Sequence, residues 1–221
     1  MKLSIVIPVY NNWNFTNSIL NDLFKLEIEH ETIVIDNASA DETEKEIVKH
    51  NIKYIRNDTN EFFAKAINKG YRESCGEYIL FLNNDVKIKN RHNDWIDGLI
   101  KEANDSIVGP TGGLLDSNLA FVKETKEFID SKYFYISGWC ILANRKTYDK
   151  LLIDNKLWCE DYIFYFEDAD LSFRAKELGI DLKIVSVPVI HFGKMTAKKI
   201  GVNDLYISAR TKFVNKWIGK I

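Results

Sequence analysis

The sequence predicts an α/β protein in which helices cover both faces of a mostly parallel sheet. Short β-branched runs alternate with longer amphipathic segments through the first half of the 221 residues, which is the pattern of strand–helix–strand units. The short runs are almost continuously apolar, as expected when both faces of a strand are buried. A content of 46% hydrophobic and 28% charged residues is that of an ordinary globular chain and excludes extended disorder.

The first half of the chain is predicted to contain four strands and three helices. The strands are Leu3–Val9, Thr32–Ile35, Lys53–Ile55 and Tyr78–Leu82. The helices follow the apolar periodicity of residues 19–26 and of the segments Asp41–His50 and Phe62–Arg72. Ser39 is a candidate N-cap for the second helix, because Glu42 stands three positions further on, as in a capping box.

The second half is predicted to be mixed and partly antiparallel, because the alternation ends after Asp85. Helices are predicted at Asp94–Ala103 and within Tyr162–Leu178, and residues 109–113 form a turn cluster. Short strands are predicted at Ile107–Val108, Phe121–Val122, Leu182–Val187 and within Tyr133–Ala143. Since no repeat or linker interrupts the chain, we expect one domain with a regular half (1–110), an irregular half (111–203) and a C-terminal helix (204–221).

Polar residues follow three of the predicted strands. They are Tyr10-Asn11-Asn12, Asp36-Asn37 and Asn83-Asn84-Asp85. Because ligands bind beyond the carboxyl ends of parallel strands, an aromatic ring and two carboxylates at this edge suit a nucleoside diphosphate with a metal ion. The alternative is that these ends are polar only because they meet water. The chain has no glycine-rich dinucleotide or P-loop motif, so a divalent cation would carry the diphosphate charge, with Asp85 as its candidate ligand.

Two further groups of residues suggest chemistry. Glu167, Asp168 and Asp170 begin a predicted helix, where Asp168 or Glu167 could act as a general base and Asp170 could pair with Arg174; the alternative is a charge-decorated helix start. His191 follows the last predicted strand. Alone it is more often a structural histidine, but together with Asp85 it would make an oxygen–nitrogen site that suits Mn²⁺ better than Ca²⁺.

Four ordered segments together resemble a known family. They are Ser4–Asn11, Val34–Asp41, Gly76–Val86 and Glu167–Leu171. They look like the signatures of inverting family-two glycosyltransferases with the GT-A fold, and Asn37-Ala38-Ser39 resembles the bacterial rhamnosyltransferase-like branch. The resemblance extends from Ser4 to residues 206–213, and it implies a Rossmann-like nucleotide-sugar-binding half at 1–110 and an acceptor and catalytic half at 111–203.

The resemblance also implies roles for individual residues. Donor-nucleotide contacts are expected from Pro8, Val9, Tyr10, Asn11, Asp36, Lys65, Asn68, Asn83 and Asn84. Asp85 and His191 would bind Mn²⁺ or Mg²⁺, and Asp168, next to Glu167, would be the base of a single inverting displacement. This chain departs from the family at two places: Phe62 stands where relatives often have glycine, and the triplet ending at Asp85 holds only one carboxylate, which implies weaker metal affinity.

The expected substrates are a nucleoside-diphosphate sugar, with UDP or dTDP favoured by the resemblance, and a saccharide or lipid-linked acceptor. Trp139 and Trp158 are candidate acceptor-stacking rings, and a place in the core is the alternative for each. A sugar-phosphate nucleotidyltransferase is disfavoured because the first strand is not followed by a glycine-rich basic loop. A non-catalytic binding module is disfavoured because Asp36, Asp85, Asp168 and His191 all occur together.

Charge and cysteine content limit the partners and the compartment. A net charge of -2 provides no field that would recruit nucleic acid. Three scattered cysteines and an N-terminal apolar run too short for a signal peptide predict a cytoplasmic protein. From His191 onward the chain has seven basic residues and one acidic residue. We expect the C-terminal helix either to dock its apolar stripe on the core or to hold the protein at an anionic membrane surface.

Overall fold

The computed structural model describes residues 1–89, 94–193 and 203–221. Its strands are β1 (Leu3–Val9), β2 (His30–Asp36), β3 (Lys53–Arg56), β4 (Tyr78–Leu82), β5 (Val86–Ile88), β6 (Ser106–Gly109), β7 (Gly112–Leu115), β8 (Phe121–Thr125), β9 (Phe134–Ile136), β10 (Cys140–Asn144), β11 (Asp181–Ile184) and β12 (Val189–His191). Its helices are α1 (Trp13–Leu23), α2 (Thr43–Ile47), α3 (Phe62–Glu73), α4 (Trp95–Glu102), α5 (Arg145–Asp149), α6 (Glu167–Glu177) and α7 (Asn203–Trp217).

A seven-stranded sheet in the order β11-β6-β10-β4-β1-β2-β3 forms the centre of the molecule. Strand β10 runs antiparallel to β4 and β6, and the other neighbours pair in parallel. Leu3, Ile5 and Ile7 of β1 pack into one hydrophobic cluster with α1 and α4, while Val6 packs into a second cluster with α3 and α6. Both faces of β1 are therefore buried, and the predicted α/β fold is confirmed.

Two smaller antiparallel sheets lie beside the central one. Strand β7 pairs with both β8 and β9, and β5 pairs with β12. The predicted turn cluster at 109–113 is wrong at both ends, because Gly109 belongs to β6 and Gly112 and Gly113 belong to β7. The β5–β12 pair was not predicted, since each strand has only three residues and such a length carries little periodicity.

The predicted N-cap at Ser39 is also wrong. The Ser39 hydroxyl donates to Asp36 Oδ1 (2.5 Å) and accepts from the backbone N–H of Asn11 (2.7 Å), so it joins the turns that follow β1 and β2. Helix α2 begins later, at Thr43, and the Thr43 N–H donates to Asp41 Oδ1 at 3.1 Å. Ser39 therefore shapes the sheet edge rather than a helix end.

The C-terminal helix α7 docks on the body of the protein. Its residues Phe213 and Trp217 are buried in a third hydrophobic cluster that also contains Phe166 and Phe173. Lys216, one of the basic residues expected to face solvent or lipid, instead donates to the buried Asp170 Oδ1 at 2.6 Å. The docked alternative is therefore the one observed, although contact of the exposed side of α7 with a membrane stays a prediction.

Other parts of the predicted basic tail have different outcomes. Lys194, Lys198 and Lys199 lie outside the described residues. Within the described ranges, no helix combines the length and the apolar character needed to cross a bilayer. The expected pair of Asp170 with Arg174 is observed, with a distance of 2.9 Å between Oδ2 and Nε.

Candidate functional site

A cavity of about 410 Å³ opens at the carboxyl ends of β1, β2 and β4. Ten of the predicted site residues line it: Pro8, Val9, Tyr10, Asn83, Asn84, Asp85, Trp139, Glu167, Asp168 and His191. Residues from both halves of the chain therefore meet in one place, with the strand ends on one side and the start of α6 on another. This is where ligands bind in open parallel sheets.

Asp85 and His191 form a pair that suits a metal ion. Antiparallel pairing of His191 in β12 with Val86 in β5 brings the two side chains together, and 3.1 Å separates Asp85 Oδ1 from His191 Nε2. Both atoms are buried, and apart from this contact with each other neither has a hydrogen-bond partner. Unsatisfied buried polar atoms are costly, and a shared divalent cation would satisfy both.

The ligand atoms of Asp85 and His191 suit a Mn²⁺ or Mg²⁺ ion with open coordination positions better than a structural metal ion enclosed by protein ligands. Among residues 1–89, 94–193 and 203–221 no group of three or more His, Cys, Asp or Glu side chains could hold a metal ion. With one carboxylate and one imidazole from the protein, further coordination positions would fall to diphosphate oxygens and water. The pair therefore suits a cation that binds together with its substrate.

Trp139 supports this pair instead of presenting a free ring to a sugar. Its indole stacks on the His191 ring, with 4.7 Å between the centroids and 10° between the planes. Its Nε1 donates to Thr111 Oγ1 at 2.8 Å, and only 8% of the residue is exposed. Stacking on Trp139 therefore restricts the tilt of the His191 ring.

The prediction that Trp158 stacks on the acceptor is wrong. Trp158 is 0% exposed. Its ring makes edge-to-face contacts with Phe63 and Phe81, at centroid distances of 5.3 and 5.5 Å. With both faces inside the core, this ring has no surface to offer a sugar.

Two adjacent carboxyl groups begin α6 at the cavity wall. Burial raises the pKa of Asp168, although its oxygens accept from the backbone N–H groups of Gly138 (3.0 Å) and Ala169 (2.9 Å). Burial and repulsion by Asp168 raise the pKa of Glu167 to about 8. Because the two N–H donors stabilise charge on Asp168, Asp168 is the better placed of the two to hold the anion that a base needs.

Asp36 is placed differently from what the resemblance implied. It is fully buried, and its oxygens accept hydrogen bonds from the Ser39 N–H (2.9 Å), the Ser39 hydroxyl (2.5 Å), the Tyr54 hydroxyl (2.7 Å) and Arg56 Nη1. These four bonds occupy both oxygens. A direct hydrogen bond from a base would require one of these donors to leave, so in this structure Asp36 organises the turn beside the cavity.

Three other expected donor contacts lie away from the cavity lining. Asn11 Oδ1 accepts from the Ala40 N–H at 2.7 Å, which ties the first two strand ends together. Asn68 is 1% exposed, and its Oδ1 accepts from the Trp158 N–H at 2.9 Å. Lys65 is exposed on α3 and is not among the lining residues. In this structure Asn11 and Asn68 serve the local fold, and Lys65 does not line the cavity.

Several lining residues were missed from the sequence. Phe62, noted only as a departure from the family, lines the cavity with a φ of 63°. Asn60 and Asn37 bind its N–H and carbonyl groups through their side chains, at 2.9 and 3.2 Å. Other missed lining residues include Phe121, Glu124, Tyr135, Phe164 and Tyr165. Only the aromatic run before Glu167 offered a signal for them, because the remaining residues lie in an irregular region without a motif.

Comparison with known proteins gives a family match and several relatives. The family model described as glycosyl transferase family 2 matches residues 4–152. The poly(ribitol-phosphate) beta-N-acetylglucosaminyltransferase TarS of Staphylococcus aureus is 33% identical over 93 residues, which are 38% of this chain and 16% of TarS. An uncharacterized glycosyltransferase of Rickettsia prowazekii, RP339, is 26% identical over 97% of this chain and 72% of its own length. The matched segment thus covers only about a sixth of TarS.

Two solved structures show the same fold. The crystal structure of TarS residues 1–349 with UDP-GlcNAc has a TM-score of 0.57 at 24% identity, over 84% of this chain and 56% of that one. The mannosyltransferase PcManGT of Pyrobaculum calidifontis, solved with GDP-Man and Mn²⁺, has a TM-score of 0.62 at 14% identity, over 84% and 55% of the two chains. The expected GT-A-type α/β fold is therefore confirmed.

Proposed function

The chain belongs to glycosyl transferase family 2, and on that premise we propose that it is a metal-dependent, inverting glycosyltransferase. It moves a sugar from a nucleoside-diphosphate sugar to an acceptor hydroxyl. The observation that carries the proposal is the buried, unsatisfied Asp85–His191 pair in the same cavity as Asp168. A metal-binding pair and a base on one cavity are what a displacement at an anomeric carbon needs.

The chain's own residues account for the proton and for orientation. Asp168 accepts the proton of the acceptor hydroxyl while that oxygen attacks the anomeric carbon from the side opposite the diphosphate, so the configuration inverts. The N–H groups of Gly138 and Ala169 hold its carboxylate in place. A divalent cation held by Asp85 and His191 would neutralise charge on the departing diphosphate.

The donor proposed is a UDP- or dTDP-sugar, with its base beside Pro8, Val9 and Tyr10. These residues line the cavity directly after β1. The names of TarS with UDP-GlcNAc and of PcManGT with GDP-Man support a nucleotide-sugar donor. The acceptor proposed is a saccharide or a lipid-linked saccharide. All three cysteines are free thiols, which favours a reducing, cytoplasmic compartment.

A donor panel tests this function. UDP-, dTDP- and GDP-sugars are incubated with the protein, Mn²⁺ and a mixture of saccharides, and nucleoside diphosphate release is measured with and without EDTA. We expect release from one nucleotide class that EDTA abolishes, and proton NMR of the product to show the inverted anomer. Retention of configuration, or release that EDTA leaves unchanged, would overturn the proposal.

Assays of the same protein distinguish this function from the two alternatives, a sugar-phosphate nucleotidyltransferase and a non-catalytic binding module. A sugar-phosphate nucleotidyltransferase would release pyrophosphate from a nucleoside triphosphate and a sugar 1-phosphate. A binding module would bind the donor without any turnover. The segment Tyr10-Asn11-Asn12-Trp13 after β1 contains no Gly, Lys or Arg, which disfavours the nucleotidyltransferase.

A further inference from the structure

We propose that Phe121, Glu124 and Tyr165 form an acceptor subsite for a neutral saccharide ring, an inference that rests on the proposed function and names the acceptor chemistry. All three line the cavity that holds Asp168. Phe121 is 57% and Tyr165 38% exposed, so their rings are open to a ligand, unlike those of Trp139 and Trp158. Aromatic faces with a few placed polar groups are typical of small-molecule sites.

A β-bulge in β8 brings Phe121 and Glu124 to the same side of the strand. Leu114 of β7 pairs with Lys123 and Leu115 pairs with Phe121, so Val122 is an extra residue. In a regular strand, residues three apart point to opposite faces, and the inserted residue reverses this. Bulges often redirect a side chain beside an active site, and here Phe121 and Glu124 both line the cavity.

Tyr135 lies across β7 from Glu124, and both line the cavity that holds Asp168. Gly113 pairs with Tyr135 across the small sheet, and a Cβ atom at Gly113 would lie 2.2 Å from the Tyr135 ring. This glycine therefore lets the ring lie across β7. Gly113 also pairs with Glu124 on its other side, so Glu124 and Tyr135 flank the same residue of β7. Burial, followed by the charges of Asp168 and Glu124, raises the pKa of Tyr135.

The backbone before α6 directs Tyr165 towards the cavity. Tyr165 and Phe166 have consecutive positive φ values of 69° and 71°, a backbone conformation that is strained for residues other than glycine. Phe166 is buried and stacks on Phe213 of α7 at 4.8 Å. Tyr206 of α7 meets the Tyr165 ring edge-on at 5.7 Å. Packing against α7 thus maintains a strained turn that leaves Tyr165 on the cavity wall.

The charge of the cavity favours a neutral ligand at this end. The carboxylates at this end are Glu124 and Asp168, because a pKa of about 8 keeps Glu167 protonated at pH 7 and Asp85 belongs to the proposed metal pair. No Lys or Arg occurs among the described lining residues. A uronic acid or phosphate would be repelled here, whereas sugar hydroxyls can donate to Glu124. The apolar face of a pyranose ring suits Phe121 and Tyr165.

Acceptor kinetics and saccharide binding together test the subsite. Neutral oligosaccharides and their uronic-acid counterparts are compared in the transfer assay, and binding of the neutral set is followed by saturation-transfer NMR with UDP and Mn²⁺. We expect Phe121→Ala, Tyr165→Ala and Glu124→Gln each to raise the acceptor KM about tenfold, the scale of one lost aromatic or charged contact, and much more than the donor KM. Tyr165→Phe should restore the wild-type acceptor KM.

Phe128→Ala is the matched control, because Phe128 is 53% exposed and packs on Phe134 outside the cavity lining. It should keep the wild-type acceptor KM. Preference for the uronic acids, or variants with acceptor KM within twofold of this control, would overturn the subsite. Saccharide binding that depends on Phe121 in a protein without transfer would instead overturn the proposed function and leave the subsite standing.

Discussion

Replacing Glu167 by glutamine should stabilise the protein, and more so as the pH rises. The glutamine keeps the size of the side chain and removes its ionisation. Burial and the neighbouring Asp168 raise the pKa of Glu167 from 4.5 to about 8 in the folded state. A raised carboxyl pKa means that the folded state binds the proton more tightly than the unfolded state does. Stability contributed by that proton is complete below pH 4.5 and is lost as the pH rises towards 8.

The size of the effect follows from the two pKa values. One pKa unit corresponds to about 1.4 kcal/mol. Between pH 4.5 and pH 7 the wild-type protein should therefore lose about 3 kcal/mol that Glu167→Gln retains, and the difference should level off above the folded pKa of about 8. Any cost of fitting the amide is independent of pH, so the widening of the difference is the diagnostic quantity.

Urea unfolding of both proteins at pH 5, 7 and 9 measures this difference. Glu160→Gln is a control of opposite sign: burial alone would raise the pKa of Glu160, but hydrogen bonds from Lys156 (2.8 Å) and Asn68 (3.0 Å) outweigh it and hold that pKa below its usual value. Glu160→Gln should therefore destabilise the protein at pH 7. A constant difference between wild type and Glu167→Gln at all three pH values would refute the reasoning.

Three further predictions concern the base, the docked helix and the histidine support. Asp168→Asn should lower turnover on the order of 10²–10⁴-fold with donor affinity within a few-fold; lost donor binding with an intact rate at saturation would place Asp168 in the metal site. Phe213→Ala should cost about 3–5 kcal/mol in urea unfolding, because Phe213 is fully buried; a cost below about 1 kcal/mol would contradict the docking of α7. Trp139→Leu should weaken Mn²⁺-dependent binding of UDP by about tenfold by freeing the His191 ring, and unchanged affinity would show that stacking does not orient it.

The central strands could be predicted because a continuous run of apolar residues indicates a strand that is buried on both faces. Leu3–Val9 and Tyr78–Leu82 coincide residue for residue with β1 and β4, since continuous apolar runs leave few alternatives. The β5–β12 pair could not be predicted in this way. It joins residues about a hundred positions apart, and non-local pairing of short strands depends on the surrounding fold.

The same distinction between local sequence signals and tertiary contacts applies to the candidate site. The side-chain chemistry of Asp85, Asp168 and His191 makes them candidates from the sequence alone, and they share one cavity. Trp158 could not be separated from Trp139 by sequence, because only packing decides that one ring is enclosed and the other reaches the cavity. Phe121 and Tyr165 were missed since a β-bulge and a positive φ direct them, and both depend on tertiary contacts.

Calorimetric titration of nucleoside diphosphates tests the central claim most directly. UDP, dTDP and GDP are titrated in turn into the wild-type protein with and without Mn²⁺, and then into Asp85→Ala and the exposed-surface control Asp97→Ala. We expect Mn²⁺ to strengthen binding of one nucleotide about tenfold or more in wild type and control, and to have no effect in Asp85→Ala. Equal affinity with and without Mn²⁺ in the wild type, or a gain that survives in Asp85→Ala, would contradict a metal-dependent donor site at Asp85 and His191.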